Sequence, residues 1–321
     1  MQQPGPGEQD GGIHVSVPVA ALRGGGPKPH PGGRRSAVAY IFLLPWLVGV
    51  VGITALPMLA SLYLSFTSYR LGGTPVWVGL GNYQRMLADP NFQASALVTV
   101  KYVFISVPLQ LAFALAIAVM LNRGVRGLAL YRSVYYLPSL LGGSVAVAVL
   151  WRQLFASNGL IPELAGRVGI HMGSWISDPD RALTTLIILN VWTFGSPMVI
   201  FLAGLRQIPA ELLEAAAVDG ASRWRRFWAV TMPLLTPVLF FNLILQLIGA
   251  FQAFTQAYIV SSGSGGPAGS TLFYTLYLFQ VGFQSFEMGY ASALAWILFV
   301  VIAIFTGINF IAARHWVHYE S

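Results

Sequence analysis

The stretch ELLEAAAVDGASRWRRFWAVTMPLL, residues 211–235, decides how the second half of the chain is organised. Its first sixteen positions contain six charged residues: Glu211, Glu214, Asp219, Arg223, Arg225 and Arg226. Pro209 at the start and the run of Leu, Glu and Ala predict a helix, which Gly220 ends by taking a left-handed conformation. Ser222 can cap a second helix, which Pro233 is expected to end where the next apolar segment begins. The stretch therefore predicts a polar helical hairpin between two apolar segments.

The composition around this hairpin is that of a membrane protein. The chain has 321 residues, of which 56% are hydrophobic and only 9% are charged, and its mean hydropathy is +0.67. Soluble domains have about 25% charged residues, so most of the surface of this chain is not expected to face water. The absence of cysteine excludes disulfides, thiolate metal sites and a cysteine nucleophile.

Six segments are long and apolar enough to cross a bilayer, which takes about 20 residues each. They are residues 38–66, 94–121, 133–155, 182–205, 234–259 and 288–312. Backbone groups in lipid must be satisfied within the segment, so we predict helices and an all-α integral membrane fold. A Gly- and Pro-rich disordered tail, 1–36, precedes a six-helix membrane domain, 37–315. The domain contains the hairpin loop at 206–233 and is followed by a short C-terminal end, 316–321.

The basic residues predict the orientation. Twelve of the 18 Lys and Arg lie in the tail, the second and fourth loops and the C-terminal end. By the positive-inside rule, both termini and the hairpin are cytoplasmic and the chain is a multi-pass protein of the inner (cytoplasmic) membrane. This placement also explains the net charge of +7 without nucleic acid as a partner.

Two roles for the hairpin follow from its residues. Trp224, Phe227 and Trp228 share one helix face at i, i+3 and i+4, which suits a helix lying on membrane lipid beside its arginines. The alternative is a docking element for a protein partner. The acidic first helix favours docking, because anionic lipid would repel Glu211, Glu214 and Asp219.

The spacing within the hairpin resembles a family motif. Glu214-Ala215-Ala216, three residues, Gly220, nine residues and Val230-Thr231-Met232-Pro233 are similar to the loop E-A-A-x3-G-x9-I-x-L-P of ATP-binding-cassette (ABC) importer permeases, with Val for Ile and Met for Leu. Most of residues 37–315 resembles the carbohydrate-uptake branch, in particular the first permease subunit of the maltose/lactose/glycerol-3-phosphate type. The resemblance implies a type I importer permease with six transmembrane helices and a cytoplasmic EAA coupling-helix loop.

The resemblance implies a division of labour between subunits. The implied coupling residues for a cytoplasmic ATPase are Glu214, Ala215, Ala216, Asp219, Gly220 and Pro233. A phosphate-binding Walker A loop needs Gly-Lys-Ser/Thr, whereas the two lysines of this chain, Lys28 and Lys101, follow Pro27 and Val100. We therefore expect no cofactor and no catalysis in this chain. ATP and Mg would be used by two ATPase subunits, and the remaining partners are a second six-span permease subunit and an extracytoplasmic sugar-binding protein.

Polar and aromatic side chains within the third, fourth and fifth spans are the candidate substrate residues. Amides, hydroxyls and aromatic faces suit an uncharged sugar. The candidates are Ser144, Trp151, Asn190, Trp192, Phe194, Gln246, Phe251, Gln252 and Gln256. Gln252 and Gln256 are expected on one helix face at i and i+4. The alternative role for each polar residue is a hydrogen bond between membrane helices.

The predicted function is import of a mono- or disaccharide or sugar derivative. The alternatives are a permease of the same superfamily for another solute, an ion-coupled secondary carrier and a membrane scaffold without transport. An ion-coupled carrier usually has acidic groups within its spans, and the six segments contain none. The scattered histidines argue against a metal site.

Overall fold

The computed structural model describes residues 42–123, 127–169 and 173–317. The predicted tail, 1–36, and most of the C-terminal end, 316–321, lie outside these residues, so those predictions stay untested. The chain divides into two compact units, Met1–Pro57 and Met58–Ser321. The described residues are helical apart from loops, and their one β pairing is an isolated antiparallel bridge between Thr67 and Trp77.

Thirteen helices lie in the described ranges, besides the short 3-10 turn Pro267–Gly269. In chain order they are α1 (Phe42–Ser65), α2 (Gly81–Ala88), α3 (Pro90–Leu121), α4 (Leu128–Leu141), α5 (Val145–Leu154), α6 (Leu160–Arg167), α7 (Pro179–Trp192), α8 (Gly195–Leu205), α9 (Ala210–Val218), α10 (Arg223–Arg226, Phe227–Thr231 and Met232–Phe251), α11 (Thr255–Val260), α12 (Tyr274–Phe279, extended by Gln280–Gln284) and α13 (Met288–Trp316).

Four helical runs are individually long and apolar enough to span a membrane, namely α1, α3, the run Arg223–Val260 and α13. Two bent pairs, α4 with α5 and α7 with α8, bring the number to as many as six. The prediction of a single third helix over 133–155 was wrong, because α4 and α5 meet at 94°. Gly142 and Gly143 end α4, and Ser144 caps α5 by accepting a hydrogen bond from the Val147 N–H.

A π-helical stretch precedes Pro233. We expected this proline to separate the second hairpin helix from the fifth span, but the helix continues through it. The stretch Phe227–Thr231 widens the turn immediately before Pro233. In an α-helix, a proline ring clashes with the carbonyl four residues earlier and leaves that carbonyl without a donor. In a π-helical turn the hydrogen bonds run from i to i+5, so the backbone before the proline is wider and can accommodate the ring. In the first unit, Val50–Ala55 is likewise π-helical just before Pro57.

Helix α3 is the central helix of the second unit. Eleven of its residues are buried and recur every three or four positions from Ser95 to Leu121, as expected for a helix packed along one side. It packs against α7, α8, α10 and α12. Asp89 begins the helix by accepting hydrogen bonds from the N–H groups of Asn91 and Phe92.

Carboxylates at the start of α3 and of α13 tie the adjoining loops together. Asp89 accepts hydrogen bonds from the hydroxyls of Tyr277 and Tyr290. Glu287, whose side chain is 16% exposed, pairs with Arg70 and, at 2.6 Å, with Arg85. Partial burial acts to raise the pKa of Glu287, but the hydrogen bond and charge of Arg85, joined by those of Arg70, outweigh it and hold that pKa below its usual value.

We predict that Glu287→Gln lowers the free energy of unfolding by about 1 kcal/mol at neutral pH, because it removes two charge pairs. Since the folded-state pKa is depressed, this stabilisation is present above the unfolded pKa of about 4.3 and is lost as the pH falls through the folded value. Thermal unfolding of the purified chain between about pH 7 and pH 3 measures both effects. Glu163→Gln, which removes the exposed pair with Arg167, is the matched control. Equal effects of the two variants would contradict the prediction.

Candidate functional site: a coupling hairpin and a cluster of helix breaks

The hairpin formed by α9 and the start of α10 has the predicted local structure. Asp219 ends α9, and Gly220 follows with φ of +78°. The N–H of Ala221 donates to the Ala216 carbonyl at 3.0 Å, and that of Gly220 donates to Ala217 at 3.1 Å. These two bonds form a Schellman motif, in which glycine avoids the strain of the left-handed conformation. Ser222 caps the second helix by accepting from the Arg225 N–H at 3.3 Å.

Helix α9 buries none of its nine residues. Val218 is 89% exposed and Leu212 is 44% exposed, although both are apolar. In the part of the chain that the structure describes, the carboxylates of Glu211, Glu214 and Asp219 have no ion-pair or hydrogen-bond partner. An exposed helix that offers both apolar side chains and unpaired charges is suited to docking on another protein.

The aromatic residues after Gly220 form a separate exposed face. Trp224 and Trp228 are 71% and 52% exposed, and their ring centroids are 5.6 Å apart. Phe227 contacts both rings, as the i, i+3, i+4 spacing predicted. The Arg226 guanidinium donates to the Leu213 carbonyl at 3.4 Å and so links the two arms of the hairpin.

Three helix breaks lie next to one another in the second unit. They are Gly142–Ser144 between α4 and α5, Thr193–Phe194 between α7 and α8, and Gln252–Phe254 between α10 and α11. We call this group the helix-break cluster. A Cβ on Gly142 would lie 2.1 Å from Cγ2 of Thr193, so the first two breaks meet where only glycine fits. The side-chain amide of Gln256, which follows the third break, donates to the Gly142 carbonyl at 3.1 Å and so places the third break beside the first.

Side chains satisfy the carbonyls that the breaks leave free. Ser139 Oγ donates to the Thr193 carbonyl at 2.7 Å, and Gln110 Nε2 donates to the same carbonyl at 3.2 Å and to Thr193 Oγ1 at 3.0 Å. Asn190 Nδ2 in turn donates to Gln110 Oε1 at 3.2 Å. Irregular backbone at membrane depth is tolerated only where such partners exist or where it lines a cavity.

Several of the predicted substrate residues have internal partners in this cluster. Asn190 and Gln256 donate to Gln110 and Gly142, as described above, and Ser144 caps α5. Trp151 is buried and its Nε1 donates to the Thr185 carbonyl at 3.0 Å. In this conformation, the bonds of Asn190, Gln256 and Trp151 support the alternative role of contacts between helices, whereas the bond of Ser144 lies within the helix that it caps.

The two predicted phenylalanines are buried among other rings. Phe194 packs edge-on against Phe113 with centroids 4.8 Å apart, and Phe251 stacks on Phe305 at 5.4 Å. Both are less than 10% exposed. In this conformation the rings belong to the hydrophobic core around α3.

The expectation that Gln252 and Gln256 share one helix face was wrong. Helix α10 ends at Phe251, and Phe254 has φ of −134° and ψ of −59° before α11 begins. The Thr275 hydroxyl donates to the Ala253 carbonyl and stabilises this break. Gln252 is exposed, and in the described structure neither its amide nor that of Gln246 has a hydrogen-bond partner.

Three polar residues of the cluster were not predicted: Gln110, Ser139 and Thr193. Gln110 is 2% exposed in the middle of α3. Its position within an otherwise apolar span, close to Pro108, is a signal that the sequence does contain. Ser139 and Thr193 are small residues within segments predicted to be helical, and nothing in the sequence distinguishes them from ordinary helix residues.

The described residues thus form a helical bundle with three helix breaks and an exposed polar hairpin. The family described as binding-protein-dependent transport system inner membrane component matches residues 96–317. This chain belongs to that family. It is therefore an inner-membrane transport component, and the predicted type I importer permease fold is confirmed.

Named relatives cover almost the whole chain. The probable ABC transporter permease protein YesP of Bacillus subtilis (strain 168) is 52% identical over 290 residues, which are 90% of this chain and 94% of YesP. The lactose transport system permease protein LacF of Rhizobium radiobacter is 32% identical over 280 residues, 86% of this chain and 93% of LacF.

Among solved structures, a bacterial alginate ABC transporter in complex with an alginate pentasaccharide-bound periplasmic protein has a chain of the same fold. The TM-score is 0.76 at 19% sequence identity, with 88% of this chain and 95% of that chain covered. At this identity the similarity establishes the fold.

Proposed function

We propose that this chain is the permease subunit of an ABC importer that moves a carbohydrate into the cytoplasm. The observation that carries the proposal is helix α9, which buries none of its residues and, together with its C-cap Asp219, has three carboxylates without a partner among the described residues. A family member with such a helix needs a protein partner to cover it. Relatives named for lactose and for trehalose and maltose transport support a carbohydrate as the solute.

In this proposal the hairpin docks on a cytoplasmic ATPase. Glu214 and Asp219 provide the ionic contacts, Ala215 and Ala216 allow close approach, and Gly220 sets the turn. Helix α10 continues from the hairpin through the π-helical stretch to Phe251 without interruption. A displacement of the hairpin is therefore transmitted along one rigid helix to the helix-break cluster.

The proposed assembly contains a second six-span permease subunit, two ATPases that use ATP and Mg, and an extracytoplasmic binding protein. This chain is then a non-catalytic subunit without a cofactor. Both termini and the hairpin lie in the cytoplasm, which the distribution of arginines supports. Trp224 and Trp228 then lie at the level of the lipid headgroups.

The solute path in this proposal passes the helix-break cluster. Gln246 and Gln252 are the predicted residues whose side-chain amides have no partner among the described residues, and Trp192 is partly exposed although its ring packs against Trp151. Asn190, Gln256 and Ser144 position the breaks through the bonds that they make internally. Broken helices that meet in mid-membrane are a common way to build a transport site.

Purification of the full-length chain from native membrane under mild conditions tests the assembly. We expect an ATPase and a second six-span subunit to accompany it in stable ratio. Solute-stimulated ATP hydrolysis by this complex, with its binding protein added, tests whether hydrolysis is coupled to the solute. Isolation of the chain without an ATPase under conditions that keep it folded would overturn the proposal.

We predict that Gln252→Ala raises the solute concentration needed for half-maximal stimulation of ATP hydrolysis about threefold to tenfold. Losing one hydrogen bond to a solute hydroxyl weakens binding by about this factor. Gln84→Ala, which removes another exposed amide on α2, is the control and leaves the solute dependence unchanged. If both variants behaved alike, Gln252 would not contact the solute.

A further inference from the structure

A cavity of about 490 Å³ lies where the end of α5 meets the loop after α11. Its volume falls within the range of about 300–1,000 Å³ that is usual for small-molecule sites. It is far richer in hydroxyls than the membrane-spanning helices. Six serines from three separate segments line it: Ser157, Ser174, Ser177, Ser261, Ser262 and Ser264.

Arg152, in the last turn of α5, is the one charged residue that lines this cavity. The other arginines at this end of the bundle have partners in the described structure. Arg70 and Arg85 pair with Glu287, and Arg167 and Arg181 pair with acidic neighbours on their own helical turns. Within the same described ranges, Arg152 forms no ion pair and no hydrogen bond with a carbonyl.

Two buried polar groups in residues next to the lining have no hydrogen-bond partner among the described residues. One is the Nε1 of Trp175, which stands between the lining residues Ser174 and Ile176 in the sequence. The Oγ1 of Thr271 is buried 2.2 Å from the point that a Cβ of the lining residue Gly266 would occupy. Buried donors without partners are costly, and a bound ligand or ordered water is the usual explanation.

The loop on one side of the cavity is held in an unusual backbone conformation. Ser262 has φ of 55°, which is rare for a residue other than glycine, and Gly263, Gly265 and Gly266 also have positive φ. The Ser261 hydroxyl fixes the loop by donating to the Ala257 carbonyl and accepting from the Gly265 N–H at 3.1 Å. Such strain is retained where the surrounding structure holds a site in shape.

We infer that this cavity is a binding subsite for a saccharide that carries a carboxylate, with Arg152 as its anchor and the serines as partners for sugar hydroxyls. A guanidinium without a protein partner forms paired hydrogen bonds with a planar carboxylate. The inference rests on the proposed function and adds a solute class to it. The subsite lies at the opposite end of α10 and α11 from the hairpin, where a solute first meets the bundle in the proposed orientation.

Binding of D-galacturonate and of D-galactose to the complete transporter complex in lipid nanodiscs tests the subsite, because the two sugars differ by one carboxylate. We expect galacturonate to bind at least about tenfold more tightly, the value of one charge-assisted contact. Arg152→Gln removes this preference. Arg181→Gln, which removes an arginine paired with Asp178, keeps it. Equal thermal unfolding of the two variants shows that both are folded.

Two outcomes overturn the subsite. The first is equal binding of the two sugars by the wild-type complex. The second is an unchanged sugar preference in Arg152→Gln, and weaker binding of the extracytoplasmic binding protein by that variant would then assign Arg152 to a protein contact. If ATP hydrolysis by the wild-type complex still responds to a neutral sugar, the importer proposal stands without the subsite.

Discussion

Gly220→Pro is expected to abolish solute uptake while the protein still inserts into the membrane in normal amount. Gly220 has φ of +78°, whereas the proline ring requires a φ near −65°. Proline would also remove the N–H that donates to the Ala217 carbonyl at 3.1 Å. The end of α9 must then refold, and Glu214 and Asp219 lose the positions from which they dock. Uptake of labelled solute, normalised to the amount of chain in the membrane, measures the effect.

Gly169 provides a closely matched control. It also has φ of +78° and open space around the Cβ position, and its N–H donates to the carbonyl three residues earlier at 3.1 Å. Gly169→Pro therefore introduces the same strain far from the hairpin and should retain uptake. Glu214→Lys changes the charge of α9 without straining its backbone, and it too should lose uptake. Normal uptake in both hairpin variants would remove the docking role from α9.

The hairpin could be predicted from sequence because its signals are local. A glycine after a Leu-, Glu- and Ala-rich run and a serine before the next helix act within one or two turns, and the structure contains both caps. Pro233 was misjudged because the π-helical stretch before it has no comparable sequence signal. The same holds for the 94° bend after α4, because the pair Gly142 and Gly143 does not by itself signal a change of direction.

The third helix break shows what local signals cannot supply. Residues 251–256 contain no glycine or proline and have the composition of a continuing helix. The break at Gln252–Phe254 depends on Thr275, 22 residues away from the carbonyl that it satisfies. Likewise, Gln110 meets Thr193 across 83 residues. A candidate list drawn from single spans therefore found Asn190 and Gln256 but could not show that both donate to neighbouring helices.

The close approach of Gly142 to Thr193 in the helix-break cluster predicts how stability responds when the space between them is filled. A Cβ at Gly142 would lie 2.1 Å from Thr193 Cγ2 and 2.9 Å from the Pro138 carbonyl. Gly142→Ala should therefore lower the free energy of unfolding by about 3 kcal/mol through overpacking and should sharply reduce uptake. Gly143→Ala is the neighbouring control, since its Cβ would have no atom within 4 Å and its φ is not positive. Thermal unfolding and uptake are measured for both.

Thr193→Ser provides the decisive second step, because it removes the methyl group that the new Cβ meets and keeps the hydroxyl that accepts from Gln110 at 3.0 Å. Alone, this change should cost about 1 kcal/mol through a lost methyl contact. Combined with Gly142→Ala, it should restore part of the lost stability, and the non-additivity of the two changes should be about 1–2 kcal/mol. The rescue is partial because the Pro138 carbonyl remains in place. Simple additivity would show that the end of α4 and the break between α7 and α8 do not meet at these two residues, and the helix-break cluster would then lose its central contact.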